Sequence, residues 1–198
     1  MSPDWDTDPR LDSKSVAIVG CGGLGSNVAG MLVRAGVGRL ILIDFDVVTA
    51  SNLNRQFFFA DQIGMPKTEA LATNLRRIRP EVDLALVHGR VDATTLPAIV
   101  RGVDVIVEAA DAADTKAMIM GACMDTVPGV PLVTASGLAG LDSANAITTE
   151  RLAENLYLVG DQVSDVSAGL PLYASRVMVA AAAEAHMVVR LLLGYQEP

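Results

Sequence analysis

The chain has 198 residues, 51% hydrophobic and 19% charged, which excludes a disordered protein and supplies enough apolar material for one substantial core. Its net charge of -8 argues against a nucleic-acid backbone or an anionic membrane as partner, and no apolar run approaches the roughly 18 residues that span a bilayer. With only Cys21 and Cys123, neither a disulfide framework nor a four-cysteine zinc centre fits within one chain, so no structural zinc is expected.

Residues 1–14, MSPDWDTDPRLDSK, are too acidic for a signal peptide and are read as a flexible segment of a cytoplasmic protein, ahead of a single domain over residues 15–198. From there, four-residue apolar runs ending in polar or glycine-rich turns alternate with stretches of helical period. That alternation predicts an α/β fold, Rossmann-like, with a mostly parallel sheet and helices on both faces. The first strand covers residues 16–19 and runs into VAIVGCGGLGS, where Gly20, Gly22 and Gly25 form G-x-G-x-x-G between a strand and a helix. Glycines permit the tight turn and let a phosphate approach the free N–H groups of the helix N-terminus. The helix carries Leu24, Val28, Leu32 and Ala35 on one stripe, and Gly36 and Gly38 end it.

A second strand at residues 40–43 leads to Asp44, where a carboxylate can accept hydrogen bonds from two ribose hydroxyls. The polar run SNLNRQ follows, placing Asn52, Asn54, Arg55 and Gln56 as amide and guanidinium donors toward the phosphate end of a bound nucleotide. Pro66 opens the next helix, with Leu71, Leu75 and Ile78 aligned and Pro80 beyond it. Lys67 stands in its first turn, where a cation is unfavourable unless an anion lies nearby; Glu69 offsets part of that cost.

A strand at residues 84–87, a short helix at 96–100 and a fourth strand at 103–107 complete this half. Glu108 then ends the fourth strand, Asp111 lies in the following turn as a candidate magnesium ligand facing a triphosphate, and Asp114 is expected to cap the helix over residues 114–126. After a fifth strand at 132–135, short antiparallel strands and loops precede a long C-terminal helix over residues 173–193, suited to closing the core or forming a dimer face.

In order and spacing, GCGGLGS, DFDVVTASNLNRQ, GMPK and EAADAADTK resemble the ThiF/MoeB/HesA family, relatives of the ubiquitin-activating enzymes. Within that family VTASGLAG, NLYLVGD and LYASRV look most like the short ThiF-type adenylyltransferases of thiamine biosynthesis. The resemblance implies that ATP fills the crevice and that the C-terminal glycine carboxylate of a ThiS-like ubiquitin-fold sulfur carrier attacks the α-phosphate, expelling pyrophosphate. It implies that Gly20, Gly22 and Gly25 form the phosphate turn, that Asp44 binds ribose, and that Asn52, Arg55 and Lys67 contact the phosphates. Asp111 takes the position associated with Mg2+, Arg55, Lys67 and Asp111 carry catalysis, and a homodimer is expected.

The sequence departs from that pattern in three ways. It has no paired CxxC, no cysteine placed to accept the activated carrier, and Arg10 does not match the spacing of the N-terminal arginine of relatives. Cys123, within MGACMDT, is expected to be a packing residue, and His88 and His186 are expected to be structural. Two other readings share the fold. A nicotinamide-dependent oxidoreductase leaves SNLNRQ and Lys67 without a task, whereas a catalytically silent carrier-binding scaffold leaves Arg55, Lys67 and Asp111 without one.

Overall fold

A computed structural model describes residues 7–164 and 168–198. Five strands, β1 (Ser15–Val19), β2 (Arg39–Asp44), β3 (Asp83–His88), β4 (Val105–Glu108) and β5 (Leu132–Ala135), run parallel. They alternate with α1 (Gly23–Ala35), α2 (Lys67–Ile78), the single turn α3 (Leu96–Ile99) and α4 (Ala113–Thr126). The last third contains β6 (Thr148–Ala153), β7 (Leu156–Gly160) and α5 (Ala174–Leu192). The expected antiparallel strands form one pair, β6 with β7, and β7 also runs parallel to β5, so the pair extends the same sheet. The spatial order of the seven strands is β3-β2-β1-β4-β5-β7-β6.

Alternate residues of the central strands separate two apolar layers, as a period of two requires. Val16, Ile18, Val105, Val107 and Val133 pack with α1, α2 and α5 on one face. Ala17, Val19, Ile106 and Leu132 pack with Leu96, Ile119 and Cys123 of α3 and α4 on the other. Helices therefore cover both faces, and α5 closes the core, burying Val177, Ala180, Ala181, Ala185 and Val188 beside α1.

Two expectations at chain level change. Part of the 1–14 segment is built into the fold: Pro9–Leu11 forms a short 3-10 turn, Leu11 is 2% exposed, and Gly38 donates its N–H to the Leu11 carbonyl at 3.1 Å. Residues 1–6 lie outside the described residues. Asp114 is not the cap of α4; Ala112 holds that position without a side-chain hydrogen bond, and Asp114 sits inside the first turn. An acid there still favours the positive end of the helix dipole.

The chain leaves β1 toward β2 and β3, then returns to the other side of β1 to lay down β4. A crevice opens where such an order reverses, at the carboxyl ends of the strands.

Candidate active site

That crevice is a cavity of about 730 Å³, within the range of small-ligand sites. Its wall is drawn from the ends of β1, β2, β4 and β5 and includes Gly20, Gly22, Asp44, Arg55, Lys67 and Asp111. Six of the eight expected site residues therefore share one space. Gly25 and Asn52 do not line it.

The glycines divide by task. Gly20 has φ of 102°, and a Cβ there would stand 2.6 Å from the Ala109 carbonyl oxygen, so the turn admits no side chain. At Gly25 a Cβ would lie 1.9 Å from the Gly20 carbonyl oxygen; this glycine packs helix against strand. Gly22 is different: the nearest atom to an added Cβ would be Gln56 Nε2 at 3.8 Å, so it keeps open space on the cavity side. Gly22 also caps α1 with no side-chain hydrogen bond, and Gly22, Gly23 and Leu24 at this helix N-terminus line the cavity.

The first turn of α1 holds the polar loop in place. Asn27 Nδ2 donates to the Gly23 and Arg55 carbonyls at 2.6 and 2.9 Å, and the Ser26 hydroxyl accepts the Phe57 N–H at 2.9 Å. Arg55 is thereby laid across the glycine turn, with its Nη1 donating to Asn54 Oδ1 at 2.8 Å. Gln56 is 8% exposed and lines the cavity, and its Oε1 is buried with no hydrogen-bond partner. Asn52 stands outside the cavity wall, where its Oδ1 accepts the Thr49 N–H at 3.0 Å in the capping box of the 3-10 turn Ala50–Asn52.

Lys67 is only 6% exposed, so it is no solvated surface lysine. Its ammonium pairs with Asp46 Oδ2 at 2.8 Å, and its backbone N–H donates to the Asp46 carbonyl at 2.9 Å. Asp46, two residues beyond Asp44, is thus the anion that lets a cation sit in the first turn of α2. Asp44 is fixed as well, accepting the Cys21 N–H at 2.6 Å and the Asp46 N–H at 2.8 Å. Glycine turn, Asp44, Asp46 and Lys67 form one hydrogen-bonded chain along the wall. Nearby, the Arg90 guanidinium stacks over the Phe45 ring at 3.7 Å, and both residues line the cavity.

On the opposite wall Asp111 is exposed to the cavity, between buried Glu108 and Lys116. The loop after β7 contributes Gln162, whose backbone is left-handed with φ of 60°, and it is pinned by the buried ion pair Arg176 to Asp161. Arg176 also donates to the Asp142 and Ser143 carbonyls, the latter at 3.0 Å. The Val163 and Ser164 N–H groups donate to Asp161, and these bonds hold its carboxyl down at about 2 against the opposing effect of burial.

Cys21 is buried, and burial beside the Asp44 carboxylate pushes its thiol well above the ordinary range. Cys123 is 3% exposed and its thiol is pushed up to about 11 by burial, with Glu108 adding to the effect. Both are protonated hydrophobes at neutral pH, which matches the packing role expected of Cys123. His88 and His186 are exposed and stand outside the cavity wall, and Arg10 pairs locally with Asp8 at 2.6 Å.

The sequence reading missed Asp46, Lys116 and the Phe45–Arg90 stack. Asp46 and Lys116 had a signal: DFD puts a second acid two residues from the first, and Lys116 falls in the first turn of the helix that follows the strand-end acid Glu108.

Comparison with known proteins agrees with this geometry. The sequence model described as the ThiF family matches residues 5–198. The chain is 31% identical over 202 residues to molybdopterin-synthase adenylyltransferase of Escherichia coli K12, covering 98% of this chain and 79% of that one. It is 40% identical over 125 residues to the SAMP-activating enzyme E1 of Haloferax volcanii, covering 63% of this chain and 46% of that protein. The chain thus spans less than half the length of that relative. In structure it is similar to E. coli tRNA N6-threonylcarbamoyladenosine dehydratase in complex with AMP, with a TM-score of 0.84 at 23% identity over 93% of this chain and 88% of that one, a likeness of fold.

Proposed function

We propose that this chain, which belongs to the ThiF family, is an ATP-dependent adenylyltransferase that activates the C-terminal glycine carboxylate of a small ubiquitin-fold carrier. The observation that carries the reading is the single cavity uniting an uncapped helix N-terminus, Asp44, the cations Arg55 and Lys67, and the exposed acid Asp111. A nicotinamide cofactor has no use for that density of cation beyond its ribose acid.

In the reaction a carboxylate oxygen of the carrier attacks the α-phosphorus of ATP in line. The bond from that phosphorus to the bridging oxygen of pyrophosphate breaks, and acyl-adenylate and pyrophosphate result. Negative charge grows on the equatorial and leaving oxygens, so fixed donors and cations supply most of the rate. Asp44 accepts the ribose hydroxyls, the α1 N–H groups and Arg55 receive phosphate oxygens, and Lys67, held by Asp46, offsets charge on the leaving group.

Magnesium belongs to the same proposal. Asp111 is exposed to the cavity, while among the described residues no three His, Cys, Asp or Glu side chains gather as a metal cluster. One carboxylate fits a magnesium ion that takes its remaining oxygens from phosphates and water. Bound there, the ion would neutralise triphosphate charge.

Relatives named for molybdopterin-synthase adenylylation and SAMP activation support a carrier-activating role. VTASGLAG and NLYLVGD support the finer assignment to a ThiS-like carrier of thiamine biosynthesis in the cytoplasm. Homodimer formation is supported by exposed Leu141, Tyr173 and Val179 around a second, small cavity of about 150 Å³.

ATP–pyrophosphate exchange with and without a diglycine-terminated ubiquitin-fold carrier tests the proposal. Exchange that depends on the carrier is the expected result. ATP binding without exchange would favour a silent scaffold, and NAD binding with no ATP response an oxidoreductase.

A further inference from the structure

Glu108 ends β4, beside the reversal in strand order, and is fully buried. Its carboxylate has three donors. Oε1 accepts the Ala110 N–H at 2.7 Å, and Oε2 accepts the Lys116 ammonium at 2.8 Å and the Thr134 hydroxyl at 2.6 Å. A buried carboxylate without such partners would be strongly unfavourable, so this group holds its neighbours as firmly as they hold it.

Two of the three donors bracket Asp111. Ala110 precedes it in the turn and Lys116 follows it on α4, so one carboxylate ties down both ends of the segment that presents the cavity's exposed acid. The same turn is the floor of the glycine loop: the Ala109 carbonyl lies so close beneath Gly20 that an added Cβ would approach it to 2.6 Å, and the Ala109 N–H donates to the Val19 carbonyl at 2.8 Å. A shift of a few tenths of an ångström in residues 109–110 is therefore passed to the backbone that faces the phosphates. Lys116 itself lines the cavity, with its side chain 23% exposed, so the network spans from the buried strand end to the site.

We propose that Glu108 is a positioning residue for the adenylylation reaction, holding Asp111 and the floor of the glycine turn in register through the Ala110 N–H and the Lys116 ammonium. This rests on the adenylyltransferase reading above. Glu108 touches neither nucleotide nor carrier; its effect is on where Asp111 and the turn stand.

The test compares the full chain with Glu108→Gln, Lys116→Met and Lys116→Arg. Glutamine keeps the size and one acceptor for Ala110 while losing the charge that holds Lys116; Lys116→Met, the second variant if Glu108→Gln fails to fold, removes the ammonium and keeps Glu108 bonded to the Ala110 N–H and the Thr134 hydroxyl. Three quantities are measured: carrier-dependent exchange, the Mg2+ concentration giving half-maximal ATP binding, and amide hydrogen exchange across residues 109–113. Glu108→Gln and Lys116→Met are expected to lower kcat by about tenfold to a hundredfold with little change in the KM for carrier. They should raise the Mg2+ requirement and speed amide exchange in that turn, and Lys116→Arg should recover most of the loss seen with Lys116→Met. Wild-type exchange with no change in either charge-removing variant, or a loss confined to melting temperature, would overturn the role of Glu108 alone. Absence of exchange in the wild-type chain would overturn the adenylyltransferase reading and this proposal with it.

Discussion

Lys67 shows how a residue's sequence position and its surroundings jointly set its role. A lysine in the first turn of a helix is misplaced for the dipole, and a lysine only 6% exposed is misplaced for solvation, yet both costs are met by Asp46 at 2.8 Å. The ammonium is thereby held at the cavity wall before any nucleotide arrives. Lys67→Ala is predicted to lower the rate of carrier-dependent exchange by about two to three orders of magnitude, the usual cost of removing one preorganised donor, while Asp46 resolvates in the half-exposed position it already holds. Asp46→Asn should cost about tenfold in the same assay, because the lysine remains but loses its anchor. Steady-state kinetics on the two folded variants decides this, and a wild-type rate in Lys67→Ala would remove the lysine from the reaction. At this scale the gathering of Asp44, Arg55 and Lys67 around one cavity was legible, because residue type and spacing restrict where they can stand. The capping bond from the Thr49 N–H to Asn52 was not legible, because a cap and a phosphate contact call for the same kind of short polar side chain.

Among the elements, α5 poses a question that periodicity raised only in part. Its apolar stripe was legible as core or dimer face, and Glu184 sits within that stripe, fully buried, with neither carboxylate oxygen hydrogen-bonded. Desolvation pushes its acid well above the usual carboxylate range; Lys116 of α4 opposes the shift and Glu108 of β4 reinforces it. The native state therefore keeps this proton at a pH where the unfolded chain, with an ordinary value of 4.5, has released it. A raised acid in the folded state means that stability is fully present below that value and declines as pH rises above it, by about 1.4 kcal/mol per pH unit until the folded group itself ionises. Glu184→Gln, which cannot ionise, is predicted to lack this slope. Urea unfolding of both proteins from pH 5 to 8 measures it, and parallel stability profiles would show that Glu184 is charged in the fold. Helix boundaries elsewhere followed from capping and proline rules, but the cap of α4 did not: Asp114 has the right chemistry and sits two residues too late, so Ala112 takes the position.

For the whole molecule, alternation of apolar runs with helical stripes was enough to predict a mostly parallel sheet covered on both faces, because a strand buried on two sides must be apolar throughout. It could not reveal that β7 would join β5 in parallel and carry β6 with it, since both pairings present the same pattern of side chains. Nor could composition reveal that residues 8–14 are held down, because one buried leucine, Leu11, and a few backbone hydrogen bonds leave no periodic trace. The strand order itself creates the crevice, and the glycine turn, the polar loop and the β4–α4 turn then equip it with complementary charge. The most direct measurement is transfer of label from ATP to a diglycine-terminated ubiquitin-fold carrier, with the label placed first in the α-phosphate and then in the γ-phosphate. The account predicts that α-label appears on the carrier as an acid-stable, hydroxylamine-sensitive adenylate while γ-label leaves in pyrophosphate. Label that stays in ATP, or γ-label released as inorganic phosphate with none on the carrier, would contradict it.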